Sequence, residues 1–128
     1  MTRPSYGRFT DQTNTPTEIL ASTVGLEKLG IQIDTAVAAL IVKGTVMGKV
    51  TASGLYKPYD NAAVDGTEVA LGIIVDDCDP TVSADQADLR LAASMYIHGS
   101  FVEANLVGLD ATGKTDLGGR TVGTIFTF

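Results

Sequence analysis

The segment from Val42 to Asp60 constrains the fold more than any other part of the chain. A β-branched run at Thr45–Ala52, a Ser53-Gly54 corner and a return through Leu55–Tyr59 predict two short strands joined by a hairpin. Gly and Ser at the corner admit the positive φ that a tight turn needs. A second turn signal, Asp65-Gly66, follows at once and leads into Glu68–Val75, which reads as a buried strand.

The flanking segments extend this pattern. Ile19–Val24 predicts a first strand, and Leu29, Ile31 and Ile33 alternate as a half-buried strand does. Ala36–Val42 fits either a helical turn or a buried strand, and its shortness favours strand or loop. Asp76–Asp88 is a polar excursion in which Ser83 and Gln86 have the spacing of a capping box, enough for one helical turn. Leu89–Phe101 supplies further strand. Near the end, Asp110–Lys114 reads as a turn, Gly118-Gly119 as a breaker, and Thr121–Phe128 as a last strand. The 14 glycines, the absence of Trp and the abundance of Val, Thr and Ala agree with many short strands and turns.

At 128 residues the chain is expected to form one domain with a modest core, so association with other copies would add useful stability. The formal charge of −6 argues against a nucleic-acid partner, which would require clustered Lys and Arg. The charge is unevenly spread. Between Lys57 and Arg90 there are eight acids and no basic residue. The start, Met1–Tyr6, lacks the apolar core of a signal peptide. The longest apolar run, Ala36–Val42, falls far short of the roughly 20 residues of a membrane helix. No membrane partner is expected, and the expectation is a soluble chain made in the cytoplasm. Residues 1–17 are polar, carry Pro4 and Pro16, and have only Tyr6 and Phe9 as aromatics. Such a segment has too little to bury on its own and is expected to act as an extended arm.

No constellation of catalytic residues emerges. Gly44–Lys49 has three residues between its glycines, where a phosphate-binding loop needs four, and Val50 stands where that loop needs Ser or Thr. Asp76, Asp77 and Asp79 are clustered carboxylates that would interest a hard cation. They lack the span, central Gly and closing Glu of a calcium loop, and Pro80 interrupts the run. His98 is the sole histidine and reads as a strand residue rather than a general base. Cys78, the only cysteine, cannot form an intrachain disulfide, and its acidic neighbours would raise its pKa. Tyr56 and Tyr59 flank Pro58 and suit a subunit contact. The expectation is no catalytic residue, no metal and no cofactor.

Four pieces in order carry a family resemblance: Lys43–Gly48, Tyr56–Asp60, Asp65–Ile73 and Tyr96–Phe101. Together they resemble the head decoration proteins of tailed bacteriophages, the lambda-type capsid-stabilising family. The resemblance implies a mainly β, small single-domain fold of β-barrel or β-tulip type, residues 18–128, with an extended N-terminal arm, residues 1–17. It implies a non-enzymatic homotrimer, made in the host cytoplasm and seated on the outer surface of the virion capsid, that clamps the major capsid protein. The arm of such proteins orders on the capsid, often as an added strand. Tyr6, Arg8 and Phe9 are therefore the expected capsid-binding residues, and Tyr56 and Tyr59 the expected subunit interface. Relatives place a short helix before the last strand. Gly113, Gly118 and Gly119 are expected to break it here and leave a loop or hairpin. The rival readings are a tail or baseplate subunit and a metal-dependent hydrolase built on Asp76, Asp77 and Asp79.

Overall fold

The computed structural model describes residues 18–34, 37, 39–80 and 92–128. The expected arm at 1–17 and the expected helical turn at Ser83–Gln86 lie outside them. The described chain is mainly β, as the sequence predicts: β1 (Leu20–Gln32), β2 (Val46–Lys49), β3 (Tyr56–Pro58), β4 (Gly72–Ile74), β5 (Ala92–Val102), β6 (Arg120–Val122) and β7 (Ile125–Thr127). A 3-10 turn at Glu103–Asn105 and helix α1 (Ala111–Leu117) lie between β5 and β6.

The strands form one antiparallel sheet in the order β3-β2-β4-β5-β7-β6, with β1 paired to β5 off that path. The sheet is not closed into a barrel. Between β3 and the end of β1 there is one isolated parallel bridge, Ile33 to Tyr56, where the Asp34 N–H donates to the Tyr56 carbonyl at 2.9 Å.

Strand β5 is the hub, since β1, β4 and β7 all pair with it. Its pairing with β1 slips where Glu27 opposes His98 but Lys28 opposes Tyr96, so β5 carries an extra residue there. A second slip lies between Ser22 and Glu27, where β1 loops outward around Gly25 at φ 73° and leaves Val24 exposed.

The predicted hairpin is present: Met47 opposes Pro58 and Lys49 opposes Tyr56, with Gly54 at φ 74° in the corner. The following strand is much shorter than Glu68–Val75. Residues 60–71 instead form a chain of turns that folds back on β2. The Asp65 carbonyl accepts from the Thr51 N–H, and the Thr67 carbonyl accepts from the Asp60 N–H. Gly48 makes that return possible. A Cβ on it would lie 2.8 Å from the Thr67 backbone.

Two apolar clusters occupy the two faces of the central strands. Val46, Ile73, Tyr96 and Phe101 belong to one, Met47, Ile74 and Met95 to the other. Adjacent residues thus point to opposite faces and both are buried, which is why these strands read as continuous apolar runs rather than alternating ones.

The C-terminal region corrects one expectation. Helix α1 forms despite its glycines. Asp110 caps its start by accepting from the Gly113 N–H at 2.7 Å, and Gly118 ends it in the left-handed region at φ 70°. Gly118 terminates the helix rather than preventing it. A β6–β7 hairpin follows.

Candidate functional site

Tyr59 and Tyr56 take different places. Tyr59 is only 8 % exposed, packs in the first apolar cluster, and donates its hydroxyl to Asp110 Oδ1 at 2.8 Å. Burial, then the Asp110 hydrogen bond and the charges of Asp110, Asp116 and Asp60, push its pKa up to about 12. The same contact helps hold Asp110 below its ordinary value, after the larger effect of the Gly113 N–H. Tyr59 is therefore largely buried within its own protomer and pins α1 to the end of the hairpin. Tyr56 is half-buried against the second cluster at the β1–β3 bridge and keeps part of its surface outside. Tyr6, Arg8 and Phe9 lie outside the described residues.

Around this pair the surface is fixed by polar contacts between residues far apart in the chain. Asp116 Oδ2 accepts from the Ala70 N–H at 3.0 Å, tying α1 to the turn-rich segment 60–71. Within that segment Asp65 accepts from the Thr67 hydroxyl at 2.6 Å, the Thr67 N–H at 3.0 Å and Lys57 Nζ at 3.2 Å, all three part-buried. Those donors hold the Asp65 carboxyl well below the usual carboxylate range, with Thr67 contributing most. On the far side of α1, Glu103 accepts from Lys114 Nζ at 2.7 Å and from the Thr121 hydroxyl, and these bonds lower its pKa. Asp-Gly at 65–66 signalled the turn. The long-range partners Asp116 and Lys114 had no local signal.

Among the described residues the groups with chemical potential do not converge. Asp76, Asp77, Cys78 and Asp79 line an open cavity of about 410 Å³ opposite Ala92–Ser94. Asp77 accepts from the Lys43 N–H at 2.7 Å, and the Cys78 backbone pairs with Ile41, so the cluster joins two chain segments. Among the described residues no group of three or more His, Cys, Asp or Glu is arranged to hold a metal ion. Burial first, then Asp79, pushes the Cys78 thiol up, which keeps it protonated and a poor nucleophile. His98 is an exposed β5 residue 3.7 Å from Glu27. Gly44–Lys49 runs through a turn into β2 and presents no helix N-terminus to a phosphate. No helix among the described residues is long and apolar enough to cross a membrane.

The described residues thus present a hydrogen-bonded surface, and a comparison of sequences says whose surface it is. The pattern that defines the bacteriophage lambda head decoration protein D family matches residues 9–117. The chain belongs to that family. A comparison with curated sequences returned no match. Membership assigns the chain a structural role in decorating the phage head, as a component of the virion capsid. The matched stretch spans the hairpin, the turn-rich segment, β5 and α1, and stops at Leu117, short of the β6–β7 hairpin.

Proposed function

We propose that this decoration protein is a cement: it binds the outer surface of the head as a homotrimer, seats on the major capsid protein and stabilises the shell without catalysing a reaction. The family match across residues 9–117 is the observation that carries this reading. The fold is consistent with it. Short end strands, β3 and β6, leave edges that association can cover, and the surface around α1 is held by long-range hydrogen bonds rather than by loose loops. Three protomers engaging one site would gain avidity, so each contact can be weak while the trimer is held firmly.

In this reading residues 1–17 are the docking arm and 18–128 the decoration domain. Tyr6, Arg8 and Phe9 engage the shell, with strand addition providing backbone affinity, and Tyr56, more than the buried Tyr59, has surface for a subunit contact. Deleting residues 1–15 is expected to leave the folded domain intact and to weaken attachment strongly. The measurement is co-sedimentation of full-length and truncated protein with undecorated heads. Equal binding would make the arm a passive tail. Density for a two-fold dimer on the particle would rule out the trimer.

A further inference from the structure

Single exposed apolar side chains are ordinary on protein surfaces. Val64 stands by itself in the turn-rich segment, and Val24 on the β1 bulge. One group differs. Val102, Ile125 and Val122 stand directly opposite one another across β5, β7 and β6, and opposed residues of antiparallel strands share a face. That face is the outer one, because the adjacent register row is Phe101, Phe126 and Thr121, and both of its rings are fully buried. The outer row is thus three β-branched side chains in line, with Val122 67 % exposed, Ile125 39 % exposed and Val102 half-buried. It reaches β6, the end strand of the sheet.

Two observations bear on what this row could meet. The chain enters the fold beside the row: the Val102 N–H donates to the Ile19 carbonyl at 2.8 Å, and Asn105 Nδ2 donates to the Glu18 carbonyl at 2.7 Å. Glu18 and Ile19, where the described chain begins, therefore lie about one strand spacing away. If the arm at residues 1–17 reaches the shell, as the function proposed above requires, the sheet face at its root is carried against the same surface. The second observation is charge. The next outer row, Ser22, Ser100, Thr127 and Arg120, holds one charged residue, whereas the acids concentrate in segments 60–68 and 76–79. An apolar row with so little charge beside it fits an apolar, weakly charged partner surface.

We infer that the Val102–Ile125–Val122 row is a second capsid contact, separate from the arm, that seats on an apolar patch of the shell protein; the inference rests on the decoration role proposed above. The hairpin is held ready for this. Gly123 turns it at φ 63°, Glu103 binds Thr121 and Lys114, and the Glu103 N–H donates to the Thr124 carbonyl. Little ordering remains to be done on binding. Val122 and Ile125 lie beyond the stretch matched to the family.

The test is the full-length double variant Val122→Thr/Ile125→Thr, which keeps β-branching and removes apolar surface. It is titrated against undecorated heads by co-sedimentation beside wild-type protein. Wild-type protein is expected to bind and the variant to bind about tenfold more weakly, with unchanged melting temperature and oligomeric state. Equal binding overturns the inference and leaves the decoration role standing. A changed oligomeric state also overturns it, because the row would then join copies of this chain. Failure of wild-type protein to bind overturns both readings. Should the variant not fold, amide exchange of wild-type protein decides: slower exchange at residues 120–127 on the head supports the contact, and unchanged exchange overturns it.

Discussion

The Tyr59 hydroxyl carries more of the local architecture than its position in a hairpin suggests. It spans from the end of β3 to the N-cap of α1, and its partner Asp110 is already occupied by the Gly113 N–H. Tyr59→Phe removes one buried hydrogen bond while keeping the ring, so a loss of about 1 kcal/mol in denaturant unfolding is expected. Asp110→Asn retains a capping oxygen and removes the charge. It is expected to return the Tyr59 pKa toward the ordinary tyrosine value, read by ultraviolet titration. The same groups set the pH response. Asp65, Glu103 and Asp110 are all depressed in the folded state. Their contribution is therefore complete above the unfolded carboxylate values and is lost as pH falls below about 4 through the folded values. Tyr59 is raised, so its contribution is complete below about 10 and is lost as pH climbs toward about 12. Thermal midpoints should fall on both sides of a broad neutral plateau, and Asp65→Asn should flatten the acid limb. An acid limb unchanged by that substitution would remove Asp65 from the account.

Among the elements, α1 and the turn-rich segment depend on glycine for opposite reasons. Gly118 has open space around it, and a Cβ there would meet nothing within 4 Å, yet its φ is 70°. Gly118→Ala is expected to cost about 1 kcal/mol through backbone conformation alone. Gly48 has ordinary backbone but no space, because residues 67–69 cross directly over it. Gly48→Ala is expected to cost about 1–3 kcal/mol by forcing that crossing apart, seen as lowered midpoints and faster amide exchange in 60–71. If Gly48→Ala proved neutral, the segment would be more yielding than its hydrogen bonds imply.

For the whole molecule, the acidic segment at Asp76–Asp79 separates a structural role from a metal-binding one. Asp77 bonds to the Lys43 backbone and Cys78 pairs with Ile41, so the cluster closes one end of the second apolar cluster. Chelator is expected to leave stability and capsid binding unchanged within about 0.5 kcal/mol, the scatter of surface perturbations. A large rise in melting temperature on adding calcium or magnesium would restore the metal reading.

Much of the fold was legible in local pattern. Ser53-Gly54, Asp65-Gly66 and the alternation of Leu29, Ile31 and Ile33 are short-range signals, and their physics is the φ and side-chain direction of neighbouring residues. The four family-like pieces were readable for the same reason. Elsewhere local reading erred. By propensity Gly113 and Gly118 break a helix, but Asp110 capping the start and Gly118 closing the end make a two-turn helix stable where Tyr59 and Asp116 hold it. Glu68–Val75 looked like one strand because its residues are apolar, yet only Gly72–Ile74 pairs, since Gly48 lets the preceding turns fold onto β2. The open sheet, the burial of Tyr59 within the protomer and the Val102–Ile125–Val122 row all depend on which strands meet. Pairing brings together residues far apart in the chain, and no local window contains both partners. Sequence determined the local turns at Ser53-Gly54 and Asp65-Gly66 and the apolar residues available for burial; tertiary structure alone decided which buried and exposed groups face one another.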